Sequence, residues 1–540
     1  MHPCLYVDEI LGLIAHELVT STGWATSAAL ACCCKSFEDP VLDALWETQS
    51  RVLPLLNSLP GDVWGEGRCH VSAPMACVSL SLNCLIQKSL KRLPTALEWA
   101  RFRKYARRMR KFGEWYSLYY IPSGVFQVQW LCAICNEPLL PNLEVLHLWR
   151  ITEEAISSIP SFISPRTTTI DLAFDGLSLP KGTATSVVAS VVTTFPTLCP
   201  NLRKITLQPL PRDPMITAAV SKILLSSNRN TLRSIHVDSP LTEEACEAIY
   251  KHSDLHELLV VVEKGTSLTS AVLPNLTDLA VKCDHDGDSL PLFRGAMLGR
   301  LEVVYFHNRS ERIGDFLESF ERVALAISVQ NTLTRFRFYT PHSWNPKYSS
   351  LLPFTHLTDL VVEFFCNDGC SSRVDDDVIM NLARAMPKLT SLRLGRPPCG
   401  KTPTGVTAKG FEVLANHCLN LSSLCVHFQV ASLSAPPAIS GTISDAGPTG
   451  QRRDCALTDL GVGEIPMAEE SVLVVALTLI RIFPRIDLFS SGTDENWKKV
   501  LDAIRVSRQV VDCLGKEHYF STTQSDFSDT SPETTPENGS

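Results

Sequence analysis

Pro387-Lys388-Leu389-Thr390-Ser391-Leu392-Arg393-Leu394 sets large apolar residues at the first, fourth and sixth places of the pattern L-x-x-L-x-L. In such a stretch the first leucine packs inward, and the fourth and sixth alternate onto the same face of a short strand. The spacing recurs at Leu143/Leu146/Leu148, Leu202/Ile205/Leu207, Leu232/Ile235/Val237, Leu255/Leu258/Val260, Leu276/Leu279/Val281 and Leu301/Val304/Phe306. It continues at Leu333/Phe336/Phe338, Leu357/Leu360/Val362, Leu421/Leu424/Val426 and Leu457/Leu460/Val462, with weaker copies at Thr167/Ile170/Leu172 and Phe483/Ile486/Leu488.

The triplet by itself is weak, because with about a third of positions large and apolar it arises by chance at roughly 4% of positions. Three regularities lift it above chance. Leucine fills the first place in nearly every copy, the lead-in repeats as Pro141-Asn142-Leu143, Pro200-Asn201-Leu202 and Pro274-Asn275-Leu276, and the copies stand 21 to 36 residues apart. That interval holds one strand, one helix and two turns. Between the strands, Val378, Ile379, Leu382, Ala385 and Met386, or Phe411, Leu414, Ala415 and Cys418, are apolar at the spacing of one buried helical face. Two helices are expected to begin alike, at Ile151-Thr152-Glu153-Glu154 and Leu241-Thr242-Glu243-Glu244, with threonine as cap and glutamates at the positive end. The asparagine or cysteine usual three places past the strand's last leucine is missing, replaced by Ile151, Leu210, Pro240, Asp284, Pro341 or Pro397. The expected fold is therefore α/β, an irregular leucine-rich-repeat solenoid with parallel strands inside and helices outside, over residues 126–520.

Residues 1–50 read as a small all-α module, and 51–125 as a helical linker with a basic amphipathic helix. Residues 432–453, rich in Ser, Pro, Gly and Ala, read as a flexible insertion, and 521–540 as a disordered polar tail. Ser531-Pro532 and Thr535-Pro536 in that tail admit proline-directed phosphorylation or a purely solvating role.

With 45% hydrophobic and 20% charged residues the chain has the composition of a folded protein, and a net charge of -8 gives no global pull toward nucleic acid or anionic membrane. The apolar start is broken by Asp8, Glu9, His16 and Glu17, and Val472 to Ile480 is too short to span a bilayer. Nineteen scattered cysteines then read as reduced thiols of the cytosol or nucleus.

Motifs that could carry chemistry fail on physical grounds. Gly395-Arg-Pro-Pro-Cys-Gly-Lys401-Thr402 matches the phosphate-loop expression, but Pro397 and Pro398 remove two of the N–H donors that cradle phosphate, and Pro403 forbids the helix that should follow. Asp284-His-Asp286-Gly-Asp288 lacks the glycine and glutamate placement of a calcium loop. Cys132-x-x-Cys135 has no second ligand pair, and Cys32-Cys33-Cys34 lies on a helix expected to bury small residues. No catalytic residue, metal or cofactor is expected. The run Arg101, Arg103, Lys104, Arg107, Arg108, Arg110 and Lys111, interleaved with Trp99, Phe102, Tyr105, Met109 and Phe112, reads as a helix with an aromatic buried face and a basic wet one. It suits an acidic protein partner better than nucleic acid.

In the N-terminal module, Ile10, Leu11, Ile14 and Leu18 are expected on one helical face, followed by helices over Ala28 to Phe37 and Val41 to Trp46. Glu9-Ile10-Leu11, Ile14-Ala15, Cys34-Lys35-Ser36-Phe37 and Leu45-Trp46 resemble the F-box, with Tyr6-Val7 in place of its opening Leu-Pro. An F-box followed by leucine-rich repeats is similar to the substrate receptors of SCF-type cullin-RING ubiquitin ligases of fungal type. The resemblance implies that Ile10, Leu11, Ile14, Leu18, Leu30, Phe37, Leu45 and Trp46 hold the ligase adaptor, and through it a cullin, while the repeats hold a protein substrate. The alternatives are a repeat scaffold with no ubiquitin role, in which 1–50 caps the first repeat, and a nucleotide hydrolase using Lys401.

Overall fold

The computed structural model describes residues 7–21, 23–67, 87–113, 137–151, 153–174, 183–226, 231–249, 252–262, 273–283, 298, 300–308, 316–326, 329–341, 347–365, 374–395, 405–426, 428–434, 455–461, 467–490 and 495–525. The chain forms two compact units, residues 1–301 and 302–540.

The first unit opens with helices α1 (Asp8–Ser21), α2 (Trp24–Cys33) and α3 (Lys35–Glu47), and α3 runs directly into strand β1 (Thr48–Gln49). After a short hairpin of β2 (Trp64–Gly67) with β3 (Gln87–Leu90) come helix α4 (Ala96–Ala106) and strand β4 (Lys111–Phe112). The strands β5 (Val145–Ile151), β6 (Thr169–Phe174), β7 (Lys204–Gln208), β8 (Ser234–Pro240), β9 (Glu257–Val262) and β10 (Asp278–Cys283) follow. β1 pairs with β4, and each later strand with the one before it, all parallel. The second unit is a like ladder of β11 (Val303–Asn308), β12 (Arg335–Pro341), β13 (Asp359–Phe365), β14 (Ser391–Leu394), β15 (Ser423–Val426), β16 (Asp459–Gly461) and β17 (Leu488–Ser490).

This is the leucine-rich-repeat solenoid, and the pattern residues make its core. Leu143, Leu232, Leu276, Leu333, Leu357, Leu389, Leu421 and Leu457 are fully buried, and the fourth and sixth places are buried wherever both are described. In register, Ile170, Ile205, Ile235, Leu258 and Leu279 line up across one ladder, and Phe336, Leu360, Leu392, Leu424 and Leu460 across the other. Each such side chain taken from water contributes about 2 kcal/mol, which no single strand could collect without its neighbours.

A column of shared carbonyls joins the repeats. Within the array the residue after the first leucine offers its C=O to two successive N–H groups of the next repeat, as Thr358 does to Thr390 and Ser391 at 2.8 and 3.0 Å, while Glu47 takes the Arg110 N–H and Thr458 the Asp487 N–H. The column runs through Glu47, Arg110, Glu144, Thr168, Arg203, Arg233 and His256 in the first unit, and through Glu302, Thr334, Thr358, Thr390, Ser422 and Thr458 in the second. Where that residue is Thr or Ser, its hydroxyl donates to the same carbonyl: Thr334 to Glu302, Thr358 to Thr334, Thr390 to Thr358, Ser422 to Thr390 and Thr458 to Ser422, at 2.9 to 3.2 Å. This hydroxyl ladder does the lateral work of the missing asparagines. Asparagine acts just before the first leucine, where Nδ2 of Asn142 donates to the Arg107 carbonyl at 2.6 Å and that of Asn275 to Ser253 at 3.0 Å.

The register corrects one copy. Asp487 N–H bonds to the Thr458 carbonyl and Phe489 stands opposite Leu460, so Ile486 and Phe489, not Phe483 and Ile486, take the first and fourth places. Phe483 is the buried residue three places before the first, where its carbonyl accepts the Ile486 N–H in a turn. Leu140, Cys199, Leu273, Phe354, Met386 and Cys418 hold the same place. Burial there pushes the Cys199 and Cys418 thiols up to about 12, so these cysteines are inert core.

Parallel pairing also begins earlier than residue 126. Met109 and Phe112, both buried, form a first repeat within the stretch read as a linker, and Arg110 N–H reaches the Glu47 carbonyl at the end of α3. At the other end a helix spans Glu495–Ser525, so residues 521–525 are helical and not tail; 526–540 lie outside the described residues. Residues 432–434 belong to a short helix, Val430–Ser434, and the rest of the proposed insertion lies outside the description. Thr242 caps its helix as expected, accepting the Ala245 N–H, whereas Thr152 is not described.

Gly113 closes β4 at φ +93°, and a Cβ there would sit 1.6 Å from the His147 carbonyl oxygen. Gly113→Ala is expected to cost at least ~2 kcal/mol, read as a lower denaturant midpoint. Thr358→Val, which removes one rung of the hydroxyl ladder and nearly preserves shape, should cost about 0.5–1 kcal/mol in the same assay.

Candidate protein-binding surfaces

The N-terminal helices enclose a small core of Ala15, Val41 and Leu45, against which Val19, Leu30, Ala31, Phe37, Ala44 and Trp46 pack in part. The residues expected to share one face of α1 divide between two. Leu11 is buried at 2%, whereas Ile10 and Ile14 are exposed at 37% and 38% and Leu18 is half-buried. Leu45 is likewise interior, and Trp46 lies against Tyr105 with ring centroids 4.7 Å apart. Of the eight expected adaptor contacts, Leu11 and Leu45 therefore hold the module together, Leu18, Leu30, Phe37 and Trp46 are half-buried, and Ile10 and Ile14 face outward.

Val7 and Leu13, the latter 72% exposed, complete the outward face of α1. At the start of α2, Trp24 is 53% exposed, and Ala25, Ala28, Ala29, Cys32 and Cys33 are exposed along it. This reverses the expectation that α2 buries its small residues: Ser27 is its one fully buried side chain. Leu13 and Trp24 were missed because a single inward stripe was assumed. The signal was present in the width of the band, since apolar residues at 7, 10, 11, 13, 14, 15 and 18 exceed one buried stripe.

The basic run is largely spent within the chain. Arg108 binds Asp39 and Asp43 of α3, and Lys104 binds Glu38 at 3.1 Å, so the acidic partner expected for this helix is in part the module itself. Of the aromatic face expected beneath it, Phe102, Met109 and Phe112 are buried, together with Ala106, whereas Trp99 and Tyr105 are half-buried. A shallow cleft of about 730 Å³ remains over Asp43, Trp99, Arg103, Lys104, Arg107 and Arg108, with the Arg103 guanidinium 5.7 Å from the Trp99 ring.

On the strands, residues between the leucines face away from the core. In the first unit they form a polar row: His147 Nδ1 meets Asp171 at 3.2 Å, and Glu257 accepts from Ser234 Oγ at 2.6 Å and Lys204 Nζ at 3.2 Å, with His236 at 3.5 Å. Burial lowers the affinity of His236 for a proton below the ordinary histidine value. Burial also works to raise the Glu257 carboxyl, but Ser234, Lys204 and His236 together outweigh it and hold it below the usual range. In the second unit the equivalent rows carry Tyr305, Arg335, Arg337, Tyr339 and Arg393 over Asp359 and Glu363.

Among the described residues no group of three or more His, Cys, Asp or Glu side chains is placed to hold a metal ion, and no helix is long and apolar enough to cross a membrane. Of the phosphate-loop match only Gly395 is described; it ends β14 at positive φ with its N–H on the Val362 carbonyl. Residues 396–404, Cys132, Cys135 and Asp284 to Asp288 lie outside the described residues.

No protein-family model and no curated protein matches the chain. Among solved structures it is similar to an internalin (inlF) from Listeria monocytogenes, at 16% identity over 60% of this chain and 82% of that one, with a TM-score of 0.28. It is also similar to the Rad7 and Elc1 complex in yeast, at 15% identity over 74% of this chain and 92% of that one, with a TM-score of 0.32. The fold assignment rests on the strand register and the buried leucine positions.

His236 is neutral in the fold, so as pH falls below about 6.5 the unfolded chain takes up that proton first and stability drops. The share due to Glu257 is lost only at lower pH, as the carboxylates protonate. Melting temperature should therefore decline from pH 7 to 5.5, and His236→Gln should flatten that decline. A rise over the same interval would mean that the attraction of Glu257 outweighs burial.

Proposed function

We propose that this chain is a non-enzymatic, protein-binding substrate receptor of an SCF-type cullin-RING ubiquitin ligase in the cytosol or nucleus. The F-box-like helices hold the adaptor, and through it a cullin, and the strand face of the repeats holds the substrate. One observation carries the reading. A terminal cap on a solenoid needs a polar outer surface to stay soluble, yet the outer surface here bears Val7, Ile10, Leu13, Ile14 and Trp24. Large apolar side chains at that density on the end of an array suit a helical partner laid against them, and they fall on the helices whose residues resemble the F-box. The supporting second half is an extended parallel ladder whose outward positions are polar and aromatic, the kind of surface that binds protein.

A scaffold with no ubiquitin role is the alternative, favoured by the continuity of α3 with β1 and by the Arg110 bond to Glu47, which make the module part of the first repeat. Both readings allow the same fold. They differ in whether the exposed face of α1 engages a ligase adaptor.

Pull-down of the SCF adaptor by the full chain separates them. Wild type should retain the adaptor, and Ile10→Asp with Ile14→Asp should reduce retention at least tenfold with the melting temperature little changed, because both side chains face outward. Leu11→Asp should instead unfold the module. Absence of adaptor binding by the wild type would remove the ligase reading and leave the scaffold.

A further inference from the structure

We propose that the strand face of the second unit binds an extended acidic segment of a partner protein, with Arg337 and Arg393 as paired anchors and Tyr305 and Tyr339 as an aromatic wall. The proposal deepens the substrate half of the preceding reading and rests on it only in taking the strand face as the partner-binding one.

The two arginines are held from below. Arg337 donates from Nε and Nη2 to Asp359 Oδ2 at 2.9 and 2.6 Å, and Arg393 from Nη1 to Glu363 Oε1 at 2.9 Å. Both carboxylate side chains are 10% exposed, while the arginines above them are 43% and 46% exposed. Burying a carboxylate carries a desolvation cost that its arginine must offset. The result is a guanidinium fixed in place with donors to spare, since Arg337 spends two and Arg393 one of the five that each carries. A planar fork positioned in this way suits carboxylate or phosphate oxygens.

The surroundings agree in charge and shape. Arg335, exposed on the same strand as Arg337, brings the patch to three arginines over two carboxylates, and burial keeps the nearby Cys425 thiol neutral. Tyr305, opposite Arg337 in register, and Tyr339, two residues along the strand from Arg337, lie with ring centroids 5.0 Å apart. Fixed arginine and tyrosine together are the composition of binding hot spots. The buried Asp359 Oδ1 has no hydrogen-bond donor among the described residues, so the Asp359 carboxylate depends on Arg337. Arg337 and Arg393 stand two strands apart in one register row, roughly 10 Å. Residues three apart in an extended polyproline-type segment are spaced by about 9 Å on one side, so the segment that fits crosses the strands with acidic side chains three residues apart.

Fluorescence anisotropy of labelled peptides on the full chain tests this. Three peptides share one sequence and carry, three residues apart, two glutamates, two phosphoserines or two glutamines. The expected result is salt-sensitive binding of an acidic peptide and none of the glutamine peptide. Binding of both acidic peptides identifies carboxylate as sufficient, and binding of the phosphoserine peptide alone identifies a phosphorylated segment. Arg393→Gln combined with Glu363→Gln, which leaves no unpaired buried charge, should weaken binding at least tenfold with the melting temperature little changed, and Arg393→Lys should restore only part of a single Arg393→Gln loss. Equal binding of the glutamine peptide, full binding by the double variant, or no binding of any peptide by wild type would overturn the proposal. Ile10→Asp with Ile14→Asp should leave peptide binding unchanged, so failure here and failure of adaptor binding are told apart.

Discussion

Each repeat of this protein hangs on one shared carbonyl. The residue after the first leucine offers its C=O to two N–H groups of the following repeat, and in the second unit a threonine or serine hydroxyl adds a third donor at every step from Thr334 to Thr458. A buried main-chain acceptor left unpaired would cost about as much as a lost hydrogen bond. The column therefore sets the spacing between repeats, and the leucines, with no directional preference of their own, fill the space it defines.

That constraint explains what the array tolerates. The position three past the last pattern leucine varies freely, from Leu210 to Pro240 to Pro341, because the lateral bonds of the column are made just before the strand. Helices between strands vary as well, from the four residues of Glu153–Ile156 to the sixteen of Thr183–Leu198. Adjacent repeats are braced by local devices, such as Asp376 accepting from the Thr407 N–H and hydroxyl at 2.8 and 2.6 Å. Irregular length and a regular ladder coexist because different residues control them.

The same column ties the N-terminal helices to the repeats, since its first member is Glu47. Arg108 and Lys104 then grip the acidic side of α3. With much of its inner surface committed in this way, the module offers a partner chiefly its outer surface, which carries Val7, Ile10, Leu13, Ile14 and Trp24. The strand faces differ in kind: their charged groups are paired laterally, in the second unit with Asp359 and Glu363 beneath and Arg337 and Arg393 above, so they present polar contacts of fixed geometry.

Much of this was legible in the residues. Period-two alternation and leucine at the first place point to a strand that buries one face, and with the repeated lead-in, the regular interval and the helical spacing between copies they made the repeat, its parallel ladder and its buried positions legible. The final repeat was displaced by three residues because Phe483 and Ile486 are both apolar, and only the bond from Asp487 to Thr458 distinguishes a turn residue from a strand residue. Met109 and Phe112 were hidden within a basic helix pattern. On α1, the sequence by itself determined that the helix is apolar over more than one stripe. Which residues lie inside, Leu11, and which outside, Ile10, Leu13 and Ile14, was decided by the packing of α3 against α1. Likewise Arg337 and Arg393 are plain strand residues in the sequence. Their pairing as outward forks exists only because register sets Asp359 and Glu363 beside them, and register is a property of neighbouring strands that no single stretch of chain contains.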